Sequence, residues 1–265
     1  MEKAKKQKIF YNVILGIMIS ILVFSVFMLG KEVLSRKKEQ AKFDELRELV
    51  TIKDDTQTQE EEEIETEVES DVKIKKVKSS RNISKLSQLN SDCIGWLCIP
   101  DTTVDYPVMY APDTSQKYLR KNFYGEYSVA GVPFLDERCL LSNNNLIIYG
   151  HNMIDNTMFG SLKDYTEAEY GLAHRIIEFE TISGCNKYMV FAVVITDKND
   201  QWYTFLAVNN DEELEYYIKV AQDKSLYSLD MPSEYESQLL TLSTCYGSNS
   251  NARLIVIACK VPENY

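Results

Sequence analysis

The chain has 265 residues, of which 45% are hydrophobic and 26% charged, and its formal net charge is −11 at pH 7. This length allows one folded domain of about 150 to 200 residues with appendages. The charge is uneven, at +4 in residues 1–50, −9 in residues 51–71 and −6 in the rest. Because the C-terminal part has no basic patch suited to a phosphate backbone, we expect no nucleic-acid partner.

The first element is an apolar run over residues 9–30. At about 1.5 Å per residue it spans roughly 33 Å, which matches a hydrocarbon core of about 30 Å. No small-x-small cleavage site precedes Lys31, so we predict an uncleaved signal anchor rather than a removed leader, with residues 1–30 forming a tail and a transmembrane segment. Positive charge flanks both ends of the run, so the positive-inside rule leaves the orientation open.

Residues 31–81 are interpreted as a stalk and an acidic linker. Residues 31–50 are rich in helix formers, and Phe43, Leu46 and Val50 recur at helical spacing. Residues 51–71 are dominated by acids and lack aromatic side chains, so they cannot bury enough apolar surface to offset chain entropy. We read them as a solvated spacer rather than a calcium site, and we expect the folded domain at 82–265.

Short apolar runs rich in β-branched and aromatic residues follow in the C-terminal part. They predict eight strands, at 94–99, 104–110, 132–135, 146–149, 175–180, 188–196, 239–244 and 254–261. Helical patterns are fewer, a short one at 156–165 and a longer one at 211–223. Many short strands with few helices favour a mostly β fold, a closed barrel or a sandwich.

One of the six cysteines differs from the others in position. Cys245 ends the apolar run 239–244, and a polar loop then leads to Arg253 at the start of the next strand. Two strands joined by so short a loop are expected to be antiparallel neighbours, which places Cys245 and Arg253 at the same end of the sheet. The other cysteines carry no activating pattern, although a disulfide, for example between Cys93 and Cys139, stays open. The chain has no Cys-x-x-Cys pair and no zinc-type ligand spacing, so we predict no redox site, no metal and no cofactor.

The chain contains two histidines. His174 lies in a loop-like stretch and is expected at the surface. His151 follows the apolar run 146–149 and a glycine, Gly150, which permits a sharp exit from a strand. A thiol, an imidazole and a guanidinium at strand ends are the groups that acyl transfer through a thioester requires.

Three blocks of sequence carry a resemblance to a known family. The segments 149–153 (Tyr-Gly-His-Asn-Met) and 241–245 (Thr-Leu-Ser-Thr-Cys), together with Arg253, resemble the signature blocks of the sortase family, most closely class B. The similarity extends over about residues 86–261. It implies an eight-stranded sortase-type β-barrel with N-terminal helices and a helix before the cysteine-bearing strand, where residues 211–223 fit.

The resemblance also implies an activity. A class B sortase is a membrane-anchored cysteine transpeptidase of Gram-positive bacteria that cleaves a C-terminal sorting motif after Thr in secreted proteins. It transfers them to an amine of a peptidoglycan precursor or cross-bridge. The implied catalytic residues are Cys245, His151 and Arg253, and Ser243, Leu119 and Tyr246 are the implied substrate-binding residues, with the Tyr246 N–H as a second oxyanion donor. The implied location is the cell membrane, single-pass through residues 9–30, with the N-terminus in the cytoplasm and the catalytic domain outside.

Two alternatives follow from the same residues. Class C sortases, which polymerise pilins, share the general pattern, but their lid usually carries an Asp-Pro-aromatic element and residues 51–90 contain no proline. A membrane-anchored binding module without chemistry would predict no unusual reactivity at Cys245. The chain also departs from class B at 113–119, which lacks the usual Asp-Asn before Tyr-Leu, so the resemblance supplies no substrate contact from that Asn.

Overall fold

The computed structural model describes residues 2–51 and 81–262, and the chain divides into two compact units, Met1–Glu48 and Leu49–Tyr265. The first unit consists of helix α1 (Glu2–Val50) as far as Glu48, and the last two residues of the helix, Leu49 and Val50, belong to the second unit. Among the described residues, one helical stretch, Phe10–Val50, is long and apolar enough to cross a membrane by length and composition. This is compatible with the predicted anchor.

The predicted acidic spacer lies, apart from Thr51, outside the described residues. The residues on either side of it are neighbours in the second unit. Thr51 forms an antiparallel bridge with Arg81, and the Asn82 N–H donates to the Val50 carbonyl at 2.9 Å. Residues 50–51 and 81–82 therefore lie side by side on the folded unit.

Eight strands close into a barrel in the second unit, as the sequence predicts. They are β1 (Cys93–Cys98), β2 (Asp105–Met109), β3 (Phe134–Leu135), β4 (Asn145–Tyr149), β5 (Ile176–Thr181), β6 (Gly184–Asp197), β7 (Leu239–Cys245) and β8 (Ala252–Val261). Their order around the barrel is β1-β2-β3-β4-β7-β8-β6-β5. The pairs β2–β3 and β4–β7 are parallel, so the sheet is mixed.

The strands at the centre of this order are buried on both faces. All residues of β7 except Cys245 are buried, as are residues 254–259 of β8. Residues 254–259 of β8 accordingly form a continuous apolar run, whereas β7 also buries the hydroxyl residues Thr241, Ser243 and Thr244. Cys245 is thus the point at which a fully buried strand emerges into solvent.

Two helices flank the barrel core. Helix α2 (Ile83–Leu89) starts at Asn82, whose side chain accepts a hydrogen bond from the Lys85 N–H. A later helix, Asp211–Lys224, lies between β6 and β7, as predicted for the helix before the cysteine-bearing strand. Its N-cap Asn210 accepts from the Glu213 N–H, and its face of Leu214, Ile218 and Ala221 is buried.

Two local predictions were wrong. The helical pattern at 156–165 becomes a 3-10 helix at Gly160–Thr166, because Asn156 and Met158 adopt left-handed backbone conformations that an α-helix does not allow. The loop expected before His174 contains α3 (Ala168–Ala173), and His174 caps it with its ring stacked on Tyr170. A helix of six residues is too short to show a periodic pattern. Because α3 precedes it in the chain, the helix Asp211–Lys224 is labelled α4.

Candidate active site

The parallel pairing of β4 and β7 brings His151 and Cys245 to one end of the barrel. Tyr149 and Ser243 are register partners, and the Gly150 N–H donates to the Ser243 carbonyl at 3.2 Å. Because the carboxyl ends of parallel strands meet at one edge, the residues that follow each strand lie side by side.

Two side chains extend this pairing beyond the strand ends. The Thr244 hydroxyl donates to the Gly150 carbonyl at 2.8 Å, and the Asn152 amide donates to the Cys245 carbonyl at 2.8 Å. Each bond joins the histidine-bearing segment to the cysteine-bearing segment. The backbones that carry the imidazole and the thiol are therefore fixed relative to each other.

Arg253 stands directly across from Cys245 in the antiparallel pair of β7 and β8, as the short loop predicts. Its Nη1 donates to the carbonyls of Ser250 and Ala252 at 2.9 and 3.0 Å. These bonds orient the guanidinium without neutralising its charge, because a carbonyl, unlike a carboxylate, carries no formal charge. The oriented guanidinium and the thiol thus belong to one cross-strand pair at the end of the barrel.

A groove of about 620 Å³ opens at this end of the barrel. His151, Cys245 and Arg253 all line it, and so do the predicted substrate-binding residues Ser243 and Leu119. Its volume lies within the range of about 300 to 1,000 Å³ that is typical of ligand sites. The arrangement can therefore present a thiol to a peptide carbonyl.

Cys245 is the exposed cysteine of the six, all of which are free, so the Cys93–Cys139 disulfide does not form. Burial is the largest cause of raised thiol pKa values at the other five positions, to about 12 at Cys93 and Cys259 and to about 11 at Cys98, Cys139 and Cys185. A thiol with so high a pKa holds almost no thiolate at neutral pH, and the thiolate is the nucleophile. Cys245, which is open to solvent, is therefore the candidate nucleophile among the six cysteines.

The tautomer of His151 follows from its hydrogen bond. Its Nε2 lies 2.8 Å from the Leu119 carbonyl oxygen, and a carbonyl can only accept, so Nε2 carries the hydrogen. In the neutral ring the other nitrogen, Nδ1, is then the proton acceptor. Burial lowers the pKa of His151, the bond to Leu119 opposes this shift, and the charge of Arg120 adds to it. The neutral ring is accordingly favoured at neutral pH.

The backbone N–H of Tyr246, the predicted second oxyanion donor, is engaged in a hydrogen bond within the fold. It donates to the Ala252 carbonyl at 3.0 Å and closes the turn between β7 and β8. The Tyr246 ring is partly buried against the apolar core. The part of the Tyr246 N–H in stabilising an oxyanion stays a prediction.

Sequence reasoning assigned no role to five other residues that line the groove. Phe134, Tyr149 and Tyr203 line it together with Asp136 and Arg138. Tyr203 lies on the 3-10 helix Gln201–Thr204, which begins at the N-cap Asp200, and its hydroxyl is 2.8 Å from the Ser243 hydroxyl. Tyr149 belongs to the recognised segment 149–153, whereas the other four residues gave no local signal.

A family model for the sortase domain matches residues 97–261. The chain belongs to the sortase family. Sortase B of Staphylococcus aureus is 33% identical over 177 residues, covering 65% of this chain and 72% of the relative. Sortase B of Listeria monocytogenes is 30% identical over 233 residues, covering 86% of this chain and 87% of the relative.

Solved structures agree with the sequence relatives. Sortase B of Clostridium perfringens matches with a TM-score of 0.63 at 29% identity, over 68% of this chain and 100% of that chain. The Staphylococcus aureus sortase B–substrate complex matches with a TM-score of 0.62 at 30% identity, over 68% of this chain and 85% of that chain. These relatives place the sortase in class B rather than class C, confirm the predicted barrel with its N-terminal helices, and identify the chain as a cysteine transpeptidase.

Proposed function

We propose that this sortase cleaves a sorting motif after Thr in secreted proteins and transfers them to an amine of a cell-wall peptide. The observation that carries the proposal is the placement of an exposed thiol, Cys245, opposite the Arg253 cation and beside the His151 segment in one peptide-sized groove. Each of these groups has a distinct part in acyl transfer.

In the first half-reaction, the Cys245 thiol gives its proton to His151 Nδ1, and the thiolate attacks the carbonyl carbon after Thr. A carbon–sulfur bond forms and the carbonyl oxygen becomes an oxyanion, which the Arg253 guanidinium stabilises electrostatically. The carbon–nitrogen bond then breaks, and the imidazolium gives its proton to the leaving amine. The product is a thioacyl enzyme with a neutral histidine.

The second half-reaction reverses these roles. The amine of a peptidoglycan precursor or cross-bridge attacks the thioester carbon, and His151 takes the proton that the amine loses. The carbon–sulfur bond breaks and the thiolate returns. Ser243 and Leu119 line the groove that would hold the peptide, which supports their assignment as substrate-binding residues.

A peptide library tests the donor specificity. Peptides with varied residues around Thr would be incubated with the enzyme and hydroxylamine as a small acceptor, and the products would be read by mass spectrometry. We expect hydroxamates that end at Thr, because the thioester forms there and a strong nucleophile captures it. Cleavage at a different residue, or cleavage without any hydroxamate, would contradict the proposed reaction.

We also propose that residues 1–30 anchor the enzyme in the cell membrane as a single span, with the catalytic domain outside. The length and apolar composition of the helix support a membrane span. The catalytic domain is placed outside because the proposed cell-wall substrates lie outside the cell. The full chain should sediment with membranes, resist extraction by salt and carbonate, and dissolve in detergent.

The orientation has its own readout. Protease added to intact protoplasts should digest the barrel domain and spare a cytoplasmic marker protein. Recovery of a shortened enzyme in the medium would show instead that the N-terminal segment is a cleaved leader, and a barrel protected in intact protoplasts would reverse the orientation.

A further inference from the structure

Three aromatic rings form the floor of the groove, Phe134, Tyr149 and Tyr203, which we call the aromatic floor. The Tyr149 ring lies between the other two, with ring centroids 5.6 Å from Phe134 and 6.2 Å from Tyr203. All three line the groove beside Ser243. Rings held in a fixed row offer a rigid apolar surface to a bound peptide.

A buried carboxylate stands behind this floor. Asp136 follows β3, is 3% exposed, and is held to β4 by the bond from its N–H to the Ile147 carbonyl at 2.8 Å. Its carboxylate accepts from the Tyr149 hydroxyl at 2.9 Å. It also accepts from Arg138 Nε at 2.9 Å, Nη2 at 2.7 Å and the backbone N–H at 3.0 Å.

Arg138 links Asp136 to the Tyr203 end of the aromatic floor. Its Nη2 also donates to the Tyr203 carbonyl at 2.9 Å, and the Tyr203 hydroxyl is bonded to Ser243. Ser243 in turn is the register partner of Tyr149. Asp136, Arg138, Tyr203, Ser243 and Tyr149 therefore form a closed ring of contacts drawn from separate segments of the chain.

The charge state of Asp136 is consistent with this ring. Burial by itself would raise the pKa of Asp136, but the hydrogen bonds from Arg138 and Tyr149 and the charge of Arg138 lower it below its ordinary value. Asp136 is therefore ionised at neutral pH. The Arg138 side chain remains half in solvent, and an ion pair with a solvent-exposed partner contributes little to stability. Its value here lies in geometry, since the fork of Arg138 fixes both distance and direction.

We propose that Asp136 and Arg138 are positioning residues for the donor peptide, which hold the aromatic floor and the Ser243 hydroxyl in the geometry that the peptide binds. The inference rests on the proposed function, since it assumes that the groove holds the donor. A preorganised floor lowers the cost of ordering side chains on binding. Loss of the pair therefore weakens peptide binding without altering the thiol itself.

The test compares kcat and KM for hydroxylamine-dependent transfer from a peptide selected by the library. We expect Asp136→Asn to raise KM about tenfold, the loss typical of a hydrogen bond to a charged group, with little change in kcat. The rate of Cys245 alkylation should be that of the wild type, which a general disturbance of the site would not allow. A folded Asp136→Asn enzyme with wild-type KM, or one whose alkylation slows in step with the loss of binding, would overturn the proposal.

Two further variants test whether Asp136 acts on peptide binding through the Tyr149 hydroxyl. Tyr149→Phe removes the hydroxyl that donates to Asp136, and Asp136→Asn removes the charge that strengthens this bond. The double variant should therefore show a KM close to that of the more impaired single variant. Multiplication of the two KM effects would overturn the proposed coupling. If Asp136→Asn does not fold, Arg138→Gln, at a side chain that is 49% exposed, decides the question by the same rise in KM or its absence.

The matched control is Glu236→Gln, which breaks the ion pair of Glu236 with Lys260 at 2.7 Å. Glu236 lies before β7, at the opposite end of that strand from Cys245, so the KM of the Glu236→Gln enzyme should equal that of the wild type.

The outcomes also separate this proposal from the proposed function. A wild-type enzyme that forms no hydroxamate contradicts the function, whereas active variants with unchanged KM contradict only the positioning role.

Discussion

Cys245→Ala is expected to abolish transfer from a sorting-motif peptide, to below about a thousandth of the wild-type rate, because no other group can form the thioester. Each of the other five thiols has a pKa raised to about 11 or 12 by burial. The measurement is hydroxamate formation under saturating peptide, followed by mass spectrometry. No compensating nucleophile is expected in the groove.

Alkylation gives an independent readout of the same prediction. Iodoacetamide at neutral pH should add one adduct to the folded wild type and none to Cys245→Ala. Cys185→Ala is the matched control, because Cys185 is half-buried on β6 and outside the groove residues, so this variant should keep full activity and one adduct. Turnover retained by Cys245→Ala would refute the assignment of the nucleophile.

Arg253→Ala is expected to lower kcat/KM by about 10² to 10³, the usual cost of removing one preorganised group that stabilises an oxyanion. The guanidinium is oriented by the Ser250 and Ala252 carbonyls and lies across from Cys245. Because the negative charge develops only in the transition state, the loss should fall mainly on kcat.

Arg253→Lys separates charge from geometry. Lysine keeps the positive charge but cannot reproduce the planar fork, so activity should lie between those of the wild type and Arg253→Ala. Circular dichroism would confirm that both variants are folded. A kcat/KM for Arg253→Ala within about threefold of the wild type would show that the cation has no part in the chemistry.

The order of strands along the chain was predictable because its signals are local. Each strand is a short run of β-branched and aromatic residues between turn residues, and the predicted runs match all eight strands to within a few residues. Helix α4 was predictable for the same reason. Acidic residues mark its first turn, and apolar residues recur along it at helical spacing. The neighbourhood of Cys245 and Arg253 also followed from a loop of a few residues.

The partnership of His151 with Cys245 is different, because spacing along the chain does not produce it. The pairing of Tyr149 with Ser243 joins positions more than ninety residues apart in a parallel register, and local sequence carries no information about such a register. The residue types and the resemblance to the family both named the pair, but neither gave this register. The hydrogen bond from the imidazole to the Leu119 carbonyl and the contacts that link Asp136 to Tyr203 through Arg138 likewise join distant segments.

The sequence by itself thus determined the strands, the anchor-like helix and the reactive residue types, because each depends on neighbours within a few positions. Closure of the barrel decided which of those residues meet, which histidine nitrogen accepts a proton, and which thiol meets solvent. These properties depend on contacts between remote segments, and such contacts form only when the whole chain has folded.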